Sequence, residues 1–248
     1  LGLKEALNAY KRKGEKASKK DFTTHTDFRE VLQRSDIDAV TVCTPDHWHG
    51  LISKAALKSG KDVYCEKPLV NTIAEGRAVV NAVSRYGRVL QTGSHERSNN
   101  SVRYAWELIN NGRIGTLEKI IVNMPNNDVH HERMRNDVGP HLKMPVPKGF
   151  DYDMWLGPAR WAPYTKMRTH FYWRFIMETG GGEMTDRGAH IIDLAQYIMN
   201  MDDSGPVHIE ANGEQFNNDL FDAFIEYDFT CTYKNGVKLV GTSEGERG

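Results

Sequence analysis

The sequence predicts an α/β protein: a parallel βαβ sheet followed by an α+β domain with an open, mostly antiparallel sheet. Three observations carry this. Strand and helix signals alternate over residues 37–92, the alternation stops near Ser94, and β-rich segments gather between residues 207 and 242.

The elements follow in order. Residues 37–44 (Ile-Asp-Ala-Val-Thr-Val-Cys-Thr) are β-branched and mostly apolar, a strand that Pro45 ends. Asp46 can cap a helix running to about Ser59, where Gly60 stops it. Residues 62–66 form a second strand, ended by Lys67-Pro68. Thr72 opens another helix, with Ile73, Val79, Val80 and Val83 as its apolar side, and Gly87 ends it. Residues 88–92 read as a third strand. Strand, helix, strand, helix, strand at this spacing is a parallel arrangement. Beyond Ser94, a helix over residues 101–110 leads to Gly112 and a strand over 117–124. Residues 125–165, rich in Pro, Gly, Asn, His and aromatics, predict an ordered insertion or long active-site loop. Residues 183–199 are helical, with Ile192, Leu194, Ala195 and Ile198 on apolar positions, and strands follow at 207–211, 223–233 and 237–242. Two domains are expected, residues 1–95 and 96–248.

Composition narrows the function. The 248 residues suffice for one large domain or two ordinary ones. Lys plus Arg is 32 and Asp plus Glu is 33, for a net charge of −1, which argues against a nucleic-acid partner. No apolar run approaches the ~18–20 residues that cross a bilayer, so no membrane partner is expected. The start at Leu1 carries neither an initiator Met nor a signal-peptide pattern, and the expectation is a chain that begins inside a longer product. Cys43, Cys65 and Cys231 show no metal-ligand spacing; Cys43 and Cys65 read as small buried hydrophobes. A reducing, cytoplasmic compartment fits this, with a periplasmic one as the alternative where an export signal has been removed.

Three constellations bear chemistry. Thr44-Pro45-Asp46-His47-Trp48-His49 lies at the carboxyl end of a parallel strand and the start of a helix, where open α/β sheets bind ligands and free N–H groups favour phosphate. Helix capping by Asp46 with a locally bonded His49 explains the same residues, and His47 with His49 as metal ligands is a third option. Glu66-Lys67-Pro68 also follows a strand end, where an ammonium can stabilise an oxyanion or pass a proton; a surface turn is the bland alternative. In residues 180–193, three glycines precede Asp186, His190 and Asp193, spaced i, i+4 and i+7 on one face if helical. A His between two carboxylates suits a general base, while a buried, satisfied His or a metal site are the alternatives.

The ordered combination Thr-Pro-x-x-x-His, Glu-Lys-Pro, then Gly-Gly-Gly-x-x-x-Asp-x-Gly-x-His-x-x-Asp resembles the Gfo/Idh/MocA family, over roughly residues 20–245. The resemblance implies a nucleotide-binding Rossmann domain followed by an α/β domain with a large open sheet that supports homo-oligomers, dimers or tetramers. It implies NAD or NADP as cofactor and a carbohydrate or polyol substrate. Carried over by position, Lys67, Asp186 and His190 are the catalytic residues. Thr44, Pro45, His49, Glu66 and Lys67 line the dinucleotide, joined by Trp155 and Arg160 of Trp-Leu-Gly-Pro-Ala-Arg. Arg174, with Lys67, Asp186 and His190, meets the substrate. One departure stands out: members of the family begin with a strand, a Gly-x-Gly-x-x-Gly turn, a helix and a second strand, and the chain contains no such glycine pattern. The Rossmann sheet is therefore expected to be incomplete. An NAD(P)-dependent sugar, polyol or inositol oxidoreductase is the function implied. An NAD-dependent glycoside hydrolase and a non-catalytic scaffold are the alternatives.

Overall fold

The structure is a computed structural model that describes residues 2–14, 16, 18–137 and 141–244. Helix α1 (Gly2–Arg12) and the short α2 (Phe28–Leu32) precede the first sheet. Its strands β1 (Ala39–Val42), β2 (Asp62–Cys65) and β3 (Leu90–Thr92) lie side by side in that order and run parallel, with Ala39 opposite Asp62 and Val63 opposite Leu90. Helices α3 (Asp46–Lys58) and α4 (Ile73–Tyr86) make the two crossovers. Thr72 and Glu75 form the capping box of α4, and Gly87 closes it at φ +60°. Val42, Val63 and Cys65 pack against Ile52, Ala56, Leu57 and Val79.

Two expectations about apolar residues fail here. Ile73 is 93% exposed and Val80 50% exposed, because α4 turns only a narrow stripe centred on Val79 and Ala82 to the sheet. Cys43 is also exposed, whereas Cys65 is fully buried. Cys43 lies one residue past the pairing of β1 with β2, where the sheet no longer covers it.

Helix α5 (Asn100–Asn110) leads into the second sheet at β4 (Lys119–Asn123). The 125–165 segment is more regular than a loop. It contains α6 (Val129–Asn136) and α7 (Tyr152–Leu156), whose first N–H groups are accepted by the side chains of Asp128 and Asp151. The helix expected over 183–199 is two helices, α8 (Gly182–Thr185) and α9 (Gly188–Ile198). Strands β5 (His208–Gln215), β6 (Phe224–Thr232) and β7 (Lys238–Thr242) complete a sheet of order β4-β7-β6-β5. Only β4 and β7 are parallel; the other pairings are antiparallel. Ala195 of α9 and Met199 just after it pack on one face of this sheet with Val122, Tyr227, Phe229 and Leu239.

The break between α8 and α9 has a definite cause. In a continuous helix the Asp186 carbonyl would accept from the His190 N–H. That N–H instead goes to Arg187 O at 3.0 Å, and Asp186 O accepts from Lys67 Nζ at 2.9 Å. The three glycines before the break allow tight packing. A Cβ on Gly180 would lie 2.8 Å from the Arg174 carbonyl oxygen, and Gly182 sits at φ +66° against Ala223.

Candidate active site

Lys67 follows β2, and the break after α8 presents Asp186 to it. Besides the bond to the Asp186 carbonyl, the Lys67 ammonium donates to Asp186 Oδ1. The other carboxylate oxygen, Oδ2, lies 3.1 Å from Arg174 Nε. Arg174 is held over the faces of Trp173 and Phe171, 4.4 and 4.8 Å from the ring centroids. Sequence positions 67, 174 and 186 thus meet at one carboxylate between two cations. Asp46 faces the same group. It is not the cap of α3: Pro45 holds that place, and Asp46 is the first helical residue, 5% exposed. Burial pushes its carboxyl up to about 7, with Asp186 adding to the rise and Lys67 and Arg174 opposing it.

His190 stands in the first turn of α9. Burial, then the charges of Lys67 and His95, lower its pKa; Glu96 and Asp186 pull the other way. Its Nδ1 is buried without a hydrogen-bond partner among the described residues. The expected second carboxylate is absent from its side. Asp193 is taken by Arg97, whose Nε and Nη2 each lie 2.7 Å from its oxygens, and the same guanidinium reaches Asp202 at 2.9 Å. Local periodicity placed Asp193 correctly on α9, but a cation from the segment after β3 claims it.

Thr44, Pro45, Trp48, Phe150 and Trp155 line a cavity of about 380 Å³ at the carboxyl end of β1. The Thr44 hydroxyl is buried without a partner among the described residues. Two histidines brace this edge. The ring nitrogens of His49 lie 2.6 Å from Pro68 O and 2.7 Å from Thr44 O, tying the β1 end to the turn after Lys67. His47 Nε2 and Trp48 Nε1 both donate to the Trp155 carbonyl, at 3.0 and 3.1 Å. Glycine is required at position 157 because a Cβ would lie 2.0 Å from the Trp48 ring. The Glu66 carboxylate packs over Gly93, where a Cβ would come within 3.1 Å of it. Arg160 stands apart: its side chain is 91% exposed, and its partner is Glu178, 3.4 Å away.

The two domain profiles of one family cover nearly the whole chain. The NAD-binding Rossmann-fold domain of the Gfo/Idh/MocA oxidoreductases matches residues 3–94, and the family's C-terminal alpha/beta domain matches residues 99–247. The chain belongs to the Gfo/Idh/MocA oxidoreductase family. It is 28% identical to levoglucosan dehydrogenase of Pseudarthrobacter phenanthrenivorans, over 70% of this chain and 36% of that protein. It is 24% identical to scyllo-inositol 2-dehydrogenase (NAD(+)) of Bacillus subtilis, over 82% of this chain and 46% of that one. The crystal structure of an oxidoreductase domain protein from Kribbella flavida superimposes with a TM-score of 0.64 at 26% identity, covering 96% of this chain and 56% of its own. The chain spans about half the length, or less, of the curated relatives it matches.

Sequence reasoning missed a second cluster that anchors the family's Asp-x-Gly-x-His segment. The His131 ring, fully buried on α6, donates from Nδ1 to Asp128 at 2.8 Å and turns Nε2 towards Glu183 of α8 at 3.4 Å. Arg187 lies 3.5 Å from Asp128 and 3.4 Å from Glu183. These three acid and imidazole groups could offer ligand atoms within 4.8 Å of one another. The guanidinium already places a fixed cation between the two carboxylates, so the cluster is an ion-pair network. Its effect is to clamp α8 onto α6, three residues before Asp186. The helix cap at Asp128 was readable from the sequence; its meeting with Glu183 was not. A cavity of about 890 Å³ lies between Asn127, Asn212, Glu226 and Ser243 and touches none of these groups.

Proposed function

We propose that the chain forms the catalytic part of an NAD(P)-dependent oxidoreductase that moves a hydride between a nicotinamide cofactor and a hydroxyl-bearing carbon of a sugar, polyol or inositol. The observation that carries this reading is the bond from Lys67, on the strand-end turn of the first sheet, to Asp186, four residues before His190 on the second domain. Family membership and the names of the two dehydrogenase relatives support the substrate class. The division into a dinucleotide domain, residues 1–95, and a substrate domain, residues 96–248, belongs to the same reading.

The residues present fit a dinucleotide at one edge. The orphaned Thr44 hydroxyl, the cavity beside it and the N-terminus of α3 lie together at the carboxyl end of β1. Thr44, Pro45, Glu66, Lys67 and Trp155 would hold the cofactor. His49 would act by fixing the Thr44 and Pro68 backbone, and Arg160 would reach the cofactor from its exposed loop. When bound, the nicotinamide supplies the hydride acceptor or donor. His190, kept neutral by burial and by the neighbouring Lys67, takes the proton of the substrate hydroxyl. Lys67 stabilises the developing alkoxide. Asp186 orients Lys67 and accepts from a neighbouring hydroxyl, while Arg174 fixes Asp186 and borders the substrate.

Homo-oligomer formation through the open face of the second sheet fits the exposure of Ile121 and Phe224 there. Among the described residues no helix is long and apolar enough to cross a membrane. Three free cysteines suit a cytoplasmic site of action.

The test is dinucleotide reduction by the full-length protein across a panel of sugars, polyols and inositols. His190→Ala should lower turnover by roughly 10²–10⁴-fold with dinucleotide affinity retained. Hydrolysis of a glycoside without net cofactor reduction would assign the same residues to the hydrolase instead. A wild-type rate in a folded His190→Ala protein would refute the base assignment.

A further inference from the structure

We propose that His95 is a positioning and proton-relay residue for His190, carrying the substrate-derived proton from that ring to solvent. The inference rests on the reading of His190 as acid/base given above. His95 lies in the turn after β3, and its ring meets the His190 ring edge to face, with centroids 4.6 Å apart and planes at 67°. The His95 side chain is 59% exposed, and its Nε2 lies 3.3 Å from Glu96. The groups facing His190 therefore run from a half-buried ring to an open one, and then to a carboxylate at the surface.

Proton balance shows why an exit is needed. When the substrate is oxidised, its O–H bond breaks and an N–H bond forms on His190, while the C–H bond breaks and its electron pair leaves with the hydrogen as hydride to the dinucleotide. His190 must lose that proton before the next turnover. The charged groups around it offer few acceptors. Lys67 is already an ammonium, the Asp186 carboxylate is engaged by Lys67 and Arg174, and Asp193 is paired with Arg97. His95 remains, with Glu96 beyond it. Nδ1 of His190 is the buried, unpartnered nitrogen. Rotation about χ2, a broad torsion for His, can turn a His95 ring nitrogen towards the His190 ring from the edge-to-face contact. The proton that His190 takes from the substrate passes to a His95 nitrogen and then to water, one N–H bond breaking on His190 as one forms on His95, and His190 is neutral again for the next turnover. A role in ring packing alone would not need the exposure of His95.

The test compares His95→Phe, which keeps a ring for packing, with His95→Ala and His190→Ala in the full-length holoenzyme. The relay predicts that kcat falls roughly ten-fold in both His95 variants, less than the roughly 10²–10⁴-fold of a direct acid/base because His95 acts through His190, with KM for the dinucleotide unchanged. Added imidazole should restore the His95→Ala rate and leave His190→Ala unrestored. In the ligand-free protein, an NMR titration should show the His190 midpoint rising in His95→Phe, because His95 is one of the groups that lower it. Wild-type kcat and an unchanged pH profile in His95→Phe, with no imidazole effect on His95→Ala, would overturn the relay while a dead His190→Ala leaves the site reading intact. Full activity in His190→Ala would overturn both. Should His95→Ala fail to fold, the His95→Phe rate and titration decide the matter.

Discussion

Asp46→Asn is the substitution whose effect can be worked furthest. Asp46 is almost wholly buried at the start of α3, and burial raises its carboxyl from 3.8 to about 7 against the attraction of Lys67 and Arg174. Each pKa unit corresponds to about 1.4 kcal/mol, so the shift of roughly three units corresponds to about 4 kcal/mol. The sign follows from linkage. The folded state holds this proton more tightly than the unfolded chain, so the stabilisation is complete below about pH 4 and is lost as pH rises to and through about pH 7. Asn has the same shape and does not titrate. Wild-type stability minus Asp46→Asn stability should therefore fall by about 4 kcal/mol between about pH 4 and pH 8, with most of the change before pH 7. Urea unfolding of both proteins across that range, with matched m-values, measures the difference directly. Parallel stability curves would show that Asp46 carries no raised pKa and that water reaches it.

The other predictions concern single contacts. Lys67→Met leaves Asp186 with Arg174 as its remaining cation; turnover should fall on the order of 10²–10³-fold, as expected for a lost charged partner of a developing oxyanion, and dinucleotide affinity should weaken in a binding titration, unlike in His190→Ala. Gly157→Ala forces a Cβ to within 2.0 Å of the Trp48 ring at a residue with φ +49°. It should cost about 1–3 kcal/mol in thermal or urea unfolding, the usual scale of overpacking, and displace the Trp155 carbonyl from His47 and Trp48; unchanged stability would mean that this clamp is slack.

How much of this was legible depends on the range of the interactions. The first sheet was readable because its signals are local: β-branched runs, the Thr72–Glu75 capping box, and glycines at Gly60 and Gly87 with positive φ. Lys67, Asp186 and His190 could be singled out as well, because each sits in a short motif with its own spacing, and the structure joins the first two. What stayed hidden were the partners. Ile73 and Val80 looked apolar by type, but only the packing of α4 against the sheet decides which of its residues are covered. Asp193 and His190 share a helix, yet Arg97, distant in sequence, separates their chemistry.

The helix break at Asp186 is the clearest case, because local and long-range preferences point in opposite directions there. Period 3.6 carries an unbroken helix from Glu183 to Met199, and nothing in Glu183-Met184-Thr185-Asp186-Arg187 forbids it. An unbroken helix would turn the Asp186 carbonyl along the helix axis to the His190 N–H and leave the partly buried Lys67 ammonium with the Asp186 carboxylate as its partner there. Dividing the helix gives up the bond from His190 N–H to that carbonyl but still satisfies both groups, since the N–H finds Arg187 O. The exchange is favourable only when two domains are docked, and so it could not be read from either segment alone. It also ties the geometry of His190 to the docking: any change that frees Lys67 from Asp186 lets the Asp186 carbonyl take back the His190 N–H, moving the imidazole relative to the edge of the first sheet.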